Sequence, residues 1–173
     1  MLVVVDLQEP FLSAIYGRDT LLANVVLLCR AARILGVPIL VTEQYAGRMG
    51  SVIAEIAEAV GPSVAPVDKL CFSCAQSPAF RRALEATGRN QVVVCGVETH
   101  ICVSQTAHDL RHAGHAVHVV ADASSSRTLE RHKLGMERIR DAGIKPAAAE
   151  AVVYEWLREA GTPEFKEILS LVK

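Results

Sequence analysis

The chain is poor in aromatics: Phe, Tyr and Trp make up 5% of its 173 residues, with a single Trp. No window approaches the ~20 consecutive apolar residues that a membrane-spanning helix needs. Neither charge is in excess, since 18 Lys and Arg stand against 19 Asp and Glu. Near-neutrality gives no electrostatic reason to expect nucleic acid or an anionic membrane as partner. Cysteine is sparse and odd in number, five in all, which argues against a secreted disulfide framework and for reduced thiols in the cytoplasm. No G-x-G-x-x-G follows a strand, so no dinucleotide site is expected. The opening MLVVVDLQEP lacks the basic head and longer apolar stretch of a signal peptide. The first strand starts almost at residue 1, which leaves room for a short piece before it.

Apolar content is not lacking. Half of the chain (51%) is hydrophobic, too much for disorder. The length predicts one domain over residues 1–173, large enough to bury roughly 70% of its unfolded surface. No repeat or Pro/Ser-rich linker divides it.

Apolar runs alternate with helical patterns throughout. Leu2 to Asp6 reads LVVVD, a β-branched run closed by an acid, as in a strand buried on both faces of a parallel sheet. Asp19 and Thr20 can cap a helix to Leu35, stopped at Gly36. Val37 to Thr42 is a second strand, and Ser51 to Val60 has amphipathic helical spacing. Val64 to Asp68 is a third strand, although Pro66 weakens it. Ser77-Pro78 opens a helix to Thr87. Gln91 to Cys95 is the fourth strand, Ile101 to Ala113 a helix, His115 to Ala121 the fifth strand, Thr128 to Ala142 a helix, and Ile144 to Ala149 a sixth strand. The tail, 150–171, reads as one or two helices broken at Gly161-Thr162-Pro163. This alternation predicts right-handed crossovers and an α/β fold, an open parallel sheet covered by helices on both faces.

In such sheets the ligand crevice lies beyond the carboxyl ends of the strands, where strand order reverses. The residues there are Asp6, Glu43-Gln44-Tyr45, Lys69, Gly96 to Cys102, and Asp122. Cys102 is expected in the first turn of a helix, where backbone N–H groups and the dipole stabilise a thiolate and hold an oxyanion. A small buried hydrophobe is the alternative. Asp6 is costly at the end of an apolar strand unless paired or used, and it suits a general base. A cap is its plain alternative. Lys69 could pair with Asp6, stabilise the thiolate and help to hold substrate, or else be a solvated lysine. One fold places all three at one sheet edge.

These residues resemble the isochorismatase-like cysteine hydrolases, which include nicotinamidase and N-carbamoylsarcosine amidohydrolase. The resemblance spans essentially the whole chain. It rests on VVVDLQEPF, on Lys69 with Phe72 three residues later, and on GVETHICVSQTAHDL. TEQY, DASSSR and PEFK look most like the group described only as isochorismatase domain-containing proteins. The resemblance implies a three-layer α/β/α sandwich with a six-stranded parallel sheet of Rossmann-type order. It implies a catalytic triad of Asp6, Lys69 and Cys102, a cis peptide between Val97 and Glu98, and an oxyanion hole made by the N–H groups of Glu98 and Cys102. It also implies acyl transfer through a Cys102 thioester. Isochorismatase itself lacks this cysteine, so amide or related C–N hydrolysis is expected. Substrate contacts are expected from Gln8, Phe11, Tyr45, Phe72, Thr99 and His100, and assembly as a homo-oligomer, dimer or larger, with a small-molecule substrate.

The chain also departs from that pattern. Metal-binding nicotinamidases carry Asp-x-His after strand two, whereas here TEQYAGRMG has no histidine and all six histidines lie at or after residue 100. No metal and no cofactor are expected, and Glu43 and Tyr45 are expected to line the pocket instead. Glu9 and Pro10 replace the Asn-Asp common after the family's first Gln. Cys71 and Cys74 form a C-x-x-C, a redox pair or half a zinc site, although no second pair has matching spacing. His108 and His112 share a helix face, better read as solvated than as metal ligands. Ser124-Ser125-Ser126 reads as a polar loop on the ligand side. Cys29 and Cys95 read as core. The apolar stripe of Phe165, Ile168, Leu169 and Val172 docks either on the chain's own core or on a partner. Two rival functions stay open, a non-catalytic interaction protein on this fold and a redox protein using Cys71 and Cys74.

Overall fold

The computed structural model describes residues 1–172. Its centre is strand β1 (Leu2–Val5), four apolar residues with no exposed surface. Alternate side chains point to opposite faces. Accordingly Leu2 and Val4 join one hydrophobic cluster, and Val3 and Val5 join another. β1 pairs in parallel with β2 (Ile39–Gln44) on one side and β4 (Gln91–Val97) on the other. With β3 (Val67–Lys69), β5 (Ala116–Ser125) and β6 (Lys145–Ala147), the sheet has six parallel strands in the order β3-β2-β1-β4-β5-β6. The α/β sandwich and its strand order agree with the expectation. Strand order reverses between β1 and β4, so a crevice opens above their carboxyl ends.

Helices cover both faces. The Leu2/Val4 face packs against α2 (Arg18–Ile34), α4 (Ala54–Val60), α8 (Ala149–Leu157) and α9 (Pro163–Leu171). Leu21, Leu22, Val25, Leu28, Cys29 and Ala32 form the buried stripe of α2, at the spacing of one helical face. The Val3/Val5 face packs against α5 (Pro78–Ala86), α6 (Ser104–His112) and α7 (Leu129–Asp141). Phe80 of α5 is fully buried there, a burial that stabilises by roughly 1.5–3 kcal/mol. Two members of the tail stripe dock on the chain's own core, Ile168 fully buried and Phe165 packed against the α2 cluster; Leu171, outside the expected stripe, packs there in place of Leu169 and Val172.

The differences from expectation have local causes. α2 starts at Arg18, because Gly17 takes a left-handed turn (φ 65°) just before it. The helix expected over Ser51–Val60 starts only at Ala54. Glu43 Oε1 accepts the Val52 N–H at 2.8 Å and Leu7 O accepts the Ile53 N–H at 3.0 Å, which holds the preceding segment extended. β3 begins at Val67, just after Pro66, which cannot donate to the ladder. β2 runs two residues past Thr42 because its polar end is fully bonded inside the protein. β5 continues to Ser125 through a register irregularity opposite Val94 and Gly96. Gly96 itself (φ 115°) lies so close to β1 that a Cβ would stand 2.2 Å from Val5 O.

Candidate active site

Each chemistry-bearing residue follows from its strand. Asp6 comes directly after β1 and takes a left-handed conformation (φ 54°), which Asp tolerates better than most residues. That turn folds its carboxylate back under the crevice, and the residue is 1% exposed. Lys69 closes β3, with its ammonium 2.7 Å from Asp6 Oδ2. Cys102 follows β4 in a π-helical turn (Thr99–Val103) that leads into α6. It is therefore not in the first α-turn, as expected from sequence. π-turns are rare and often occur at functional sites. The peptide between Val97 and Glu98 is cis.

β2 supplies the framework. Thr42 and Gln44 are two residues apart and so face the same side. The Thr42 hydroxyl donates to Asp6 Oδ1 at 2.7 Å, and Gln44 Oε1 accepts from the Lys69 ammonium at 2.6 Å. Gln44 is held in turn: its Nε2 donates to Leu70 O at 2.8 Å, and its backbone N–H donates to Gln8 Oε1 at 2.7 Å. The third Lys69 partner is Cys71 O at 3.3 Å. An ammonium has three donors, and all three are engaged within the protein. Lys69 has no donor left for substrate, which corrects the expectation that it helps to hold one.

The electrostatics follow from this geometry. Burial, the largest influence, favours neutral Lys69, but Asp6 together with Cys74 and Cys102 outweighs it and holds the ammonium above its ordinary range. Burial and the Asp6 charge push the Cys102 thiol far up, against the pull of Lys69. The resting state is therefore a thiol beside a carboxylate–ammonium pair, not the preformed thiolate that a helix N-terminus would favour. Burial pushes Cys74 up to about 11. His100 is lowered, chiefly by burial.

A cavity of about 70 Å³ lies over these groups, lined by Asp6, Cys102, Gln44 and Glu98 together with the apolar Phe11, Phe72, Val97 and Ile101. Asp6, Phe11, Phe72, Glu98 and Cys102 thus meet where sequence placed them. Gln8, Tyr45, Thr99 and His100 do not line it. Gln8 is fully buried and bonds to Gln44 and Gly50. Tyr45 is exposed past the strand end. Thr99 bonds to His132 at 3.0 Å, and His100 bonds to Ser126 at 2.9 Å. Glu43 turns to the other face and holds Val52 N–H. Asp122 is inside β5, where it accepts the Ala149 N–H at the start of α8. Ser125 donates to Tyr16 O at 2.6 Å, a structural tie between β5 and the chain before α2. Sequence reasoning missed Thr42, and it put Gln44, Val97 and Ile101 at the crevice without giving them a role; extending β2 by two residues would have put Thr42 and Gln44 on the active face. All five cysteines are free. Among the described residues, no group of three or more His, Cys, Asp or Glu is placed to hold a metal, and no helix is long and apolar enough to cross a membrane.

Comparison with known proteins places this geometry. The family model described as Isochorismatase domain matches residues 1–151. A Secreted isochorismatase effector Isc1 of Phytophthora sojae is 38% identical over 100% of this chain and 84% of its own length. Isochorismatase domain-containing protein 2A of Mus musculus is 37% identical over 100% of this chain and 82% of its own. Among solved structures, a MAR1 Ribonuclease from Caenorhabditis elegans superposes with TM-score 0.92 at 34% identity, over 99% of this chain and 88% of that one. YcaC from Pseudomonas aeruginosa with hexane-2,5-diol and covalent acrylamide superposes with TM-score 0.91 at 25% identity, over 98% and 87%.

Proposed function

Since this chain belongs to the isochorismatase family, which supports a hydrolase-type function, we propose that it is a cysteine hydrolase of small, uncharged amides. The observation that carries this reading is a buried Asp6–Lys69 pair and a buried thiol opening on one small cavity.

Cys102 is the nucleophile and Asp6 the general base. The thiol holds its proton at rest, so attack on the amide carbonyl and proton transfer to Asp6 go together. The new S–C bond puts negative charge on the carbonyl oxygen, which the backbone N–H groups of Glu98 and Cys102 receive. Protonated Asp6 gives its proton to the leaving nitrogen, and ammonia or an amine departs from a thioester. Water then attacks the thioester, Asp6 takes its proton, and the acid leaves as the Cys102 thiol is restored. Lys69 pairs with Asp6 Oδ2 at 2.7 Å in a buried setting and fixes its orientation.

The substrate class follows from the walls. A single water needs about 10–15 Å³ of such space, so the cavity admits only roughly five groups of that size. Asp6 is matched by Lys69, and the Glu98 carboxylate is tied to Arg127 at 3.1 Å. Among the described residues no cation lines the cavity to receive a charged acyl group, and burying one unpaired is costly. Short aliphatic amides fit, and acrylamide, named in the YcaC structure, is of this size. RNA, suggested by the name of the C. elegans structure, fits less well. The charge balance of 18 against 19 offers no basic track, and a nucleotide exceeds the cavity. A reducing, cytoplasmic setting suits the reading, because Cys102 must stay a free thiol.

The test is ammonia release from a panel of small amides. Wild-type protein is expected to turn over at least one short neutral amide, and Cys102→Ala and Asp6→Asn to abolish it. Asn accepts the left-handed backbone at position 6 but leaves Lys69 buried without its counter-charge, so Asp6→Asn is compared with Cys102→Ala, which keeps the ion pair, and with its own melting temperature. Turnover that survives Cys102→Ala would sink the proposal.

A further inference from the structure

The C-x-x-C left one residue without a role. Cys74 opens a 3-10 turn (Cys74–Gln76) and is fully buried. Its backbone N–H donates to the Thr106 hydroxyl at 2.9 Å, and Thr106 lies on α6, one turn after Cys102. Its sulfur stands 3.6 Å from the Thr42 hydroxyl, which is also fully buried and touches Asp6 Oδ1 at 2.7 Å. Cys74 therefore bridges the helix that follows the nucleophile and the strand that grips the base.

Hydrogen-bond chemistry sets the direction of this chain. A carboxylate only accepts, so Thr42 must donate its one hydroxyl proton to Asp6. The Thr42 oxygen is then left with acceptor capacity, and Cys74 S–H is the donor that faces it. We propose that Thr42 and Cys74 are positioning residues for Asp6, forming a buried relay from Cys74 S–H to the Thr42 hydroxyl to the carboxylate. The inference rests on Asp6 acting as base for Cys102. The relay fixes the rotation of the carboxylate, leaving it aimed at the nucleophile while Lys69 holds the other oxygen. Burial keeps the Cys74 thiol protonated well past neutrality, so it remains a donor throughout the working range. A buried chain of this kind polarises along its length, and removing one member weakens the rest.

Iodoacetamide, itself a small neutral amide, is a suitable probe. In alkylation the Cys102 sulfur forms a bond to carbon, iodide leaves, and the thiol proton passes to Asp6. The rate at Cys102 is followed by peptide mass spectrometry on the full chain, with the melting temperature recorded for each variant. Asp6→Asn is expected to slow alkylation strongly. Thr42→Val, which keeps the shape, is expected to slow it about tenfold, the effect of losing one hydrogen bond to a charged group. Thr42→Ser should recover most of the rate. Cys74→Ala should slow it by roughly threefold, since a thiol is a weak donor. The double variant Thr42→Val/Cys74→Ala should be no slower than Thr42→Val alone, because the relay is already broken. Effects that multiply in the double variant would overturn the relay, as would Thr42→Ser being as slow as Thr42→Val. Slowing by Asp6→Asn with Thr42→Val and Cys74→Ala at the wild-type rate overturns the relay and leaves the hydrolase reading standing. A wild-type rate in Asp6→Asn removes the base itself, and the relay with it.

Discussion

The Lys69 ammonium stands 2.7 Å from Asp6 Oδ2 with both side chains almost out of water, at 0% and 2% exposure. Two charges in such a place are tolerated because each is also hydrogen-bonded by the protein: Gln44 and Cys71 O on the lysine, Thr42 on the aspartate. Removing one partner leaves the other buried and uncompensated.

Lys69→Met should therefore cost about 3–5 kcal/mol of stability, measured by urea denaturation, and should eliminate turnover. The double variant Asp6→Asn/Lys69→Met should regain part of that stability and none of the activity. Equal stability of the single and double variants would contradict the pairing.

Two glycines separate fold from site. At Gly96 a Cβ would stand 2.2 Å from Val5 O, and the backbone is in the left-handed region. Gly96→Ala is expected to cost about 3 kcal/mol or more by forcing β1 and β4 apart. At Gly135 a Cβ would meet His100 Cα at 2.9 Å, so Gly135→Ala should press α7 on the π-helical turn. We expect a modest stability loss of about 1–3 kcal/mol with a much larger fall in kcat. A folded Gly135→Ala protein with full turnover would exclude this contact as a constraint on Cys102.

Buried thiols make the fold alkali-sensitive. Burial pushes Cys29 up to about 12 from an ordinary 9.0, and Cys95 well above it. Above pH 9 the unfolded chain releases these protons and the native state keeps them, so stability is fully present below pH 9 and falls as pH rises towards 12. The slope is roughly 1.4 kcal/mol per pH unit for each such thiol. Denaturation between pH 9 and 11 should show a decline that Cys29→Ala makes shallower. Identical slopes would refute the assignment.

Phe72 lines the cavity yet is 55% exposed. Phe72→Ala should leave the melting temperature almost unchanged while raising KM for the shortest amides and admitting bulkier acyl groups. Unchanged relative kcat/KM values across a size series would show that Phe72 does not set acyl size.

The large features were legible because they are written in apolar periodicity and in what interrupts it. LVVV could only be a strand buried on both faces, and the polar residues Asp6, Lys69 and Cys102 stood out where apolar runs ended. β2 was harder. Its last residues, Thr42, Glu43 and Gln44, are polar, so the apolar run suggested an end at Thr42. A strand continues as long as its groups are bonded, and these three are bonded by Asp6, Val52 and Lys69. That error moved attention to Glu43 and Tyr45, the wrong parity. α1 (Glu9–Leu12), which carries Phe11, and α3 (Ala46–Met49) are four residues each, too short to show a period. The cavity role of Ile101 came from a π-helical turn, which leaves no apolar signature of its own.

β2 contributes no atom to the proposed chemistry, yet it grips both members of the ion pair through side chains set by the ladder. The aromatic walls of the cavity, Phe11 and Phe72, lie elsewhere, on a short helix and on the segment beyond β3. In the proposed reading proton handling is anchored in the sheet, while the aromatic part of the substrate fit belongs to its periphery. The two can drift independently over descent: relatives could exchange pocket walls, and with them the compounds they consume, without rebuilding the machinery that moves the proton.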